Sequence, residues 1–503
     1  MKRVKVIILM LLIVAGAFIA LGGNIEYCSG TLDKFGSYSE LKEFLQYKGS
    51  INSLGRISSE VWGMSKFDYS KTNIQVEGAD EADIVKTDGE YIYLISGQKV
   101  IIAKAYPAEE AAVLSKITVN GTLNQLFINS ERLVVFFESD SENEAKTFVE
   151  IYDVSDRSKP VRKTEVVVDG RYFSSRMIGD YVYVVVRKTA SLDNNDEVDL
   201  PKICFEEEWK VIPATDIYYS DIADCGYIFT TILTANVFED EQEPNDETVL
   251  SGWATNIYVS LENIYLAIGY RDQTFLHRIH IENGEISIAA DGVVPGTALN
   301  QFSMDEHECY FRIATTSRMI SLPEEPPQRL LQLQNNVYIL NMDLEIVGRL
   351  EKIAPGESIH SARFMEDLCY LVTFRKVDPF FVIDLSSPYS PQILGALKIT
   401  GYSDYLHLYD ENHVIGVGKE TISAEMGDFS WYQGVKISLF DVTNMSEPKE
   451  LAKYEIGDRG TDSPVLSEHK AFLFEKEKNL LAIPVSVAEI DESRYPNGVP
   501  PYI

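Results

Sequence analysis

The sequence predicts an all-β chain assembled from repeats, on three observations. First, one strand–turn–strand pattern recurs: EIYDVSDRSKPV over 150–161, FVIDLSSPYSPQIL over 381–394 and LFDVTNMSEPKEL over 439–451. In each copy an apolar run ends in Asp, Ser or Thr follows two positions on, and Pro stands seven after the Asp: Asp153 and Pro160, Asp384 and Pro391, Asp441 and Pro448. Asp and Ser/Thr side chains bond nearby backbone and end a ladder. Pro lacks a donor and suits the start of the next strand. Second, a Gly followed by polar residues and a strand recurs at Gly121, Gly170, Gly252, Gly296, Gly356, Gly401 and Gly460, with spacings of 49, 82, 44, 60, 45 and 59. Third, Tyr (28) and Phe (23) are abundant, as strand surfaces prefer.

Repeats of four strands run about 40–50 residues in the closed, radially repeated folds. Adding a unit over 83–119 gives eight candidate blades. The expectation is therefore a seven- or eight-bladed β-propeller of four-stranded antiparallel blades, with a short N-terminal helical leader. The eighth blade, from Gly460, has about three strands before the chain turns Pro-rich.

Taken in order, the chain opens on a targeting segment. Lys2, Arg3 and Lys5 precede an apolar run over 6–21, and Ala20-Leu21-Gly22 is a small-residue cleavage site. Residues 1–23 are read as a signal peptide or an N-terminal membrane anchor. The expected location is secreted, or anchored to the outer face of the cytoplasmic membrane, with no other membrane contact. Residues 24–75 form the leader. Ser37 and Glu40 suit a capping box, Leu41, Phe44 and Leu45 recur at helical spacing, and Gly49 is the expected stop. The propeller is expected over 76–503, interrupted by an acidic insertion at 190–224 that holds Trp209 and Tyr218-Tyr219. A long irregular insertion in a compact domain is often functional. Five Cys are too few for a disulfide framework. Cys309 and Cys369, in CYFRI and CYLVTF, read as buried free thiols, while Cys204 and Cys225 flank the insertion and are a candidate pair.

The block over 72–95, TNIQVEGADEADIVKTDGEYIYLI, carries the turn Asp88-Gly89 and a strand from Tyr91. With IPATDIYYSD (212–221), FTTILTANV (229–237) and NIYVSLENIYLA (256–267), it resembles a family of mostly archaeal exported proteins with a C-terminal β-propeller domain distantly related to WD-40 repeats. The resemblance covers essentially everything after residue 35. It implies an exported propeller and supplies no agreed activity, so no catalytic residue is carried over. It also implies a chain short at its C-terminus, since such proteins usually continue well beyond a point like Ile503.

In a propeller the innermost strands line a central channel. Residues just after each marker Gly then ring its mouth. The candidate ligand-binding residues are Asn124, Gln125, Ser175, Arg176, Asn256, Asn300, Gln301, Arg363, Asp404 and Asp462. Arg176 and Arg363 are the sharpest, because an unpaired Arg in a channel attracts a carboxylate. The bland alternative is that the ring satisfies neighbouring backbone. Asp80, Asp83 and Asp88, with Glu81 between them, crowd oxygens around a turn, so they are the candidate metal ligands and calcium the one cofactor suggested. The alternative there is that Asp83 caps a strand and Asp88 serves the turn. The stretch over 193–199 resembles half an EF-hand loop but has Val198 where Gly is needed. Zinc signatures HExxH and CxxC are absent, His277 and His280 alternate across a strand, and His360 and His407 fall near inner strands. No GxSxG or phosphate loop occurs.

A net charge of −32 argues against nucleic acid as a partner. The sequence therefore points to a non-enzymatic binding or scaffold module at the cell surface, for a protein, peptide or glycan. The alternative is a secreted hydrolase or lyase acting on polysaccharide or peptide at the channel mouth.

Overall fold

A computed structural model describes residues 30–49, 72–141, 144–193, 195–222, 226–321, 330–374, 378–423 and 430–491. The expected targeting segment and Cys225 lie outside them. Among the described residues no helix is long and apolar enough to cross a membrane.

Seven four-stranded antiparallel units follow one another along the chain. Blade 1 runs from Val85–Thr87 through Tyr91–Ser96 and Lys99–Lys104 to Ala112–Thr118. Blade 2 comprises Thr122–Asn129, Arg132–Ser141, Glu144–Asp153 and Val161–Asp169. Blade 3 comprises Arg171–Ile178, Tyr181–Thr189, Ile228–Asn236 and Asn245–Ser251. Blade 4 comprises Asn256–Val259, Asn263–Tyr270, Gln273–Glu282 and Glu285–Pro295. Blade 5 comprises Met304–His307, Tyr310–Ser321, Leu330–Leu340 and Ile346–Ile353. Blade 6 comprises Ser358–Met365, Leu368–Phe374, Asp378–Asp384 and Gln392–Ile399. Blade 7 comprises Tyr402–Asp410, His413–Ser423, Ser430–Asp441 and Lys449–Ile456.

An eighth unit follows, with two strands among the described residues where the sequence suggested about three. Leu473–Glu475 pairs with Leu480–Ala482, and Asp462 bridges Ser486. Turns over 464–471 interrupt the inner strand of this hairpin. Alternate apolar residues of each blade face the next, so the core is a series of inter-blade layers. Leu126 and Tyr93 join blades 1 and 2, Ile257 and Tyr183 join 3 and 4, and Phe380 and Phe440 join 6 and 7.

The recurring Asp…Pro pattern is the connection between third and fourth strands. The carboxylates of Asp153, Asp384 and Asp441 accept from the N–H of Ser155, Ser386 and Thr443, each at 2.9 Å. The Pro immediately precedes the fourth strand. This turn also packs between blades: a Cβ on Gly348 of blade 5 would meet the Pro388 carbonyl oxygen of blade 6 at 1.9 Å. Gly348→Ala is therefore expected to destabilise the protein by about 1–3 kcal/mol, read from a urea unfolding midpoint; an unchanged midpoint would show that this close approach is dispensable.

The leader helix runs over Tyr38–Gly49, ending on the expected Gly. Ser37 Oγ accepts from Glu40 N–H at 3.2 Å, and Glu40 answers by accepting from Gly36 N–H at 2.8 Å. Phe35, Leu41 and Leu45 bury against blades 2 and 3. The acidic insertion is an outer-edge device. Its hairpin Lys202–Phe205 and Glu208–Val211 extends blade 2, and Ile217–Tyr219 adds in parallel outside blade 3, followed by Asp33–Lys34. Glu197 ties it to the helix through Tyr38 OH (2.6 Å) and Lys42 (2.8 Å). Cys204 and Cys369 are buried free thiols. Cys309 is a correction: it is exposed, at a tight turn with φ of 62°, because the turn between the first two strands of blade 5 carries it to solvent.

Candidate functional site

The innermost strands converge as expected, but the chain's own segment over 72–84 occupies the space between them. Asn73 Nδ2 donates to Tyr405 OH (2.6 Å) on blade 7 and to the His469 carbonyl (2.9 Å) on the eighth unit. Gln75 Nε2 donates to the carbonyls of Gln301 (3.0 Å) and Met304 (3.1 Å) at blade 5. Gly78, with φ of 86°, turns the segment. Ala79–Glu81 then pairs antiparallel with Arg171–Ile178, as an extra strand inside blade 3. Asp83 exchanges backbone bonds with Leu126 on blade 2 (3.2 and 2.8 Å). Small side chains make this crossing possible: Ala79 and Ala82 are each about 1% exposed.

Glu81 stands at its centre and is buried. Arg176 Nη2 lies 3.6 Å from its Oε1, and His469 Nε2 lies 3.0 Å from its Oε2, a close contact rather than a well-directed hydrogen bond. Gln75 N–H (3.1 Å) and Gln301 Nε2 (3.4 Å) also donate to Oε1. Burial alone would raise the Glu81 carboxyl, but the Arg176 charge and the His469 ring outweigh it and hold the group far below the usual carboxylate range. The carboxylate that Arg176 was expected to attract is therefore supplied by the chain itself.

Beside this cluster lies an aromatic wall. The guanidinium of Arg363 stands 4.9 Å from the Phe302 ring, and its Nη1 has no hydrogen-bond partner among the described residues. Phe302 meets His469 edge-on at 4.9 Å. Tyr405 OH is 3.0 Å from His407 Nδ1, and the His407 ring lies against Phe472 and Phe474. Burial, assisted by the Arg363 charge, pushes His407 down to about 4, so it is neutral at physiological pH.

Most of the remaining rim residues serve their neighbours. Gln125 accepts from Tyr172 OH (2.8 Å), which also meets Ser175 Oγ (2.7 Å). Asn124 donates to Glu138 (3.3 Å), Asn256 to the Ala298 carbonyl (3.2 Å), and Asn300 caps the turn at Phe302 N–H (3.0 Å). Asp462 pairs with Lys419 at 2.9 Å. Asp404 lies 3.5 Å from His360, and burial raises its carboxyl above the ordinary value despite that neighbour.

The candidate metal ligands are not brought together. Asp80 pairs with Lys86 at 2.7 Å. Asp83 accepts from Ile84 N–H (2.7 Å), and burial raises its carboxyl. Asp88 serves the turn, accepting from Glu90 and Tyr91 N–H, Tyr93 OH and Arg157. Among the described residues, no group of three His, Cys, Asp or Glu side chains is placed to hold an ion.

A family model agrees with this architecture. Residues 69–499 match the model of a Beta propeller domain. An uncharacterised protein of Methanocaldococcus jannaschii is 28% identical over 499 aligned residues, covering 83% of this chain and 74% of the relative. Another from Archaeoglobus fulgidus is 27% identical over 510, covering 83% and 75%. Among solved structures, a hypothetical selenium-binding protein from Sulfolobus tokodaii aligns with a TM-score of 0.28 at 10% identity, covering 74% of this chain and 76% of that one. The WD40 domain of Toxoplasma gondii coronin aligns with a TM-score of 0.23 at 16% identity, covering 44% and 62%. The match over 69–499 spans most of the sequence and coincides with the blades seen in the structure, and the chain belongs to the Beta propeller domain family.

Proposed function

We propose that the protein is a non-enzymatic binding module that works outside the cytoplasm, presenting a rigid ring to a protein, peptide or glycan at the cell surface. One observation carries this reading. The polar groups at the channel centre, Glu81, Arg176 and His469, are committed to one another and to the segment over 72–84, which favours a scaffold over a reaction chamber. A general acid at neutral pH needs a raised carboxyl, whereas Glu81 is held ionised. The export signal read in the sequence at 1–23 supports a location outside the cytoplasm, secreted or tethered to the membrane by that segment.

The second reading is a hydrolase or lyase at the channel mouth, favoured by the raised carboxyl of Asp404 beside His360. The two are separated by incubating the full chain with pools of polysaccharides and peptides. The binding reading expects saturable retention of a ligand without product, and for a carboxylate ligand a loss of about tenfold in affinity in Arg363→Ala, whose Nη1 lacks a partner among the described residues. Product formation that Asp404→Asn abolishes would establish the second reading instead.

A further inference from the structure

Among the described residues the buried basic side chains are Lys86, Arg176, Arg187, Arg312 and Lys436. All but one face a carboxylate at ion-pair distance: Asp80, Glu81, Asp305 and Glu450 in turn for Lys86, Arg176, Arg312 and Lys436. Arg187 is the exception. It is only 9% exposed, yet no carboxylate among the described residues pairs with it. It stands on the second strand of blade 3 and shares with Tyr183 and Val185 the face turned to blade 4. Burial pushes its guanidinium down to about 9, with no neighbouring charge to oppose the shift, so the group is still charged at neutral pH.

The contacts it makes leave donors over. Arg187 Nη2 donates to the Ala254 carbonyl, and the rings of Phe173 and Trp253 lie against the guanidinium, Trp253 at 4.9 Å. Its Nε has no hydrogen-bond partner among the described residues. The same holds for Oγ1 of Thr230, which is fully buried and directly opposite Arg187 on the third strand, so that both side chains point the same way. Cation–π contact returns less than the burial of an unpaired charge costs. A ring over the face of a guanidinium also leaves its N–H groups, which lie in the plane, for an acceptor. Trp253 is 52% exposed, so this corner between blades 3 and 4 opens to solvent beside the indole. The surroundings suit an anion: the strands Arg171–Ile178, Tyr181–Thr189 and Ile228–Asn236, and the stretch over 249–260, hold no Asp or Glu, in a chain with 77 of them.

We propose that Arg187 and Trp253 form a binding site for an acidic sugar, the uronic-acid residue of a glycan. This rests on the binding-module reading and deepens it by naming a site and a ligand class. The ligand's carboxylate accepts charge-assisted hydrogen bonds from the edge of the guanidinium and supplies the counter-charge that the chain does not. The C–H face of the pyranose ring lies on the exposed indole and buries apolar surface there. An inorganic anion would satisfy the charge and leave the indole bare. The C-terminus of a peptide fits less well, because its amide N–H groups need acceptors and the nearby Ala254 carbonyl is already taken by Arg187.

The test titrates the full chain with sodium D-galacturonate at fixed ionic strength, following the relaxation of the sugar protons by NMR. D-galactose, sodium acetate and glycylglycine are the controls. Saturable binding with a Kd of about 1 mM is expected, with each control weaker by about tenfold or more. Arg187→Met should weaken galacturonate by about tenfold or more, Trp253→Ala by about fivefold, and Arg363→Ala not at all. Trp253 is exposed, so its variant keeps the test available should Arg187→Met fail to fold. Acetate binding as tightly as galacturonate would overturn the proposal in favour of an adventitious ion only, and glycylglycine binding more tightly would overturn it in favour of a peptide terminus. A lower urea midpoint in Arg187→Met with galacturonate affinity unchanged would show that Arg187 serves the fold alone. No binding at about 50 mM galacturonate would overturn the proposal outright. Retention of a glycan that survives Arg187→Met and Trp253→Ala but is lost in Arg363→Ala would remove this site while leaving the binding module standing. Turnover abolished by Asp404→Asn would remove the module itself.

Discussion

Glu81→Ala should lower the unfolding free energy by about 3–5 kcal/mol, as expected when one partner of a buried ion pair is removed and the others are left uncompensated. The carboxylate is 2% exposed, Arg176 is 7% and His469 is 8%, so solvent screens little of the loss. The substitution also frees the N–H of Gln75 and the amide of Gln301. Glu81→Gln keeps the shape and removes the charge, and should fall between wild type and the alanine variant. The pH dependence has a definite sign. The unfolded carboxyl titrates near 4.5 and the folded one far lower, so the stabilisation is fully present above about pH 4.5 and fades as pH falls toward the folded value. Wild type and Glu81→Gln should therefore differ by a constant amount at neutral pH and converge in acid. Urea unfolding at pH 7 and pH 3 measures this, and a gap that widens in acid would contradict it.

Phe380→Ala should cost a similar amount, about 3–5 kcal/mol, by a different route. The ring is fully buried on the third strand of blade 6, stacked 4.6 Å from Phe440 of blade 7 and 5.6 Å from Tyr370. Removing it leaves a cavity in the layer that joins two blades, and each aromatic pair adds about 0.5–1.5 kcal/mol beyond buried area. Phe380→Leu should recover much of the loss. Because each blade packs mainly on its neighbours, the damage should appear first as faster amide exchange in blades 6 and 7. Uniform loosening of all blades at the same urea concentration would argue instead for a ring that unfolds as one unit.

The blades were legible because their signals are local. Asp384 and Pro391, or Gly401 and the strand after it, lie within a dozen residues of one another and state a turn and a strand directly. The leader helix followed from Ser37, Glu40 and its apolar spacing. The channel filling was not legible, because its pairings are remote. Gln75 bonds to Gln301 across 226 positions and Asn73 to His469 across 396, and TNIQVEGADEADIV lacks the alternation of a strand. In the sequence Glu81 is one of several crowded carboxylates and nothing local singles it out. His469 gave no signal, since it sits in short turns that interrupt an inner strand. In the sequence Arg176 reads as a group that would attract a carboxylate; in the structure the neighbouring carboxylate is the chain's own Glu81. The insertion read as a functional loop because its acidic run hides three short strands, which pair at the outer edges of blades 2 and 3.

The chain's own segment over 72–84 fills the channel. Native-state amide hydrogen exchange over 72–84 in the full chain tests it most directly. The amides of Gln75, Ala79 and Asp83 each donate to a protein acceptor, and they should exchange only with opening of the ring. Exchange of these amides at the rate of an unstructured peptide, while the blade strands stay protected, would mean that the segment does not hold the channel, and would return Arg176 and Gln301 to the status of a ligand site.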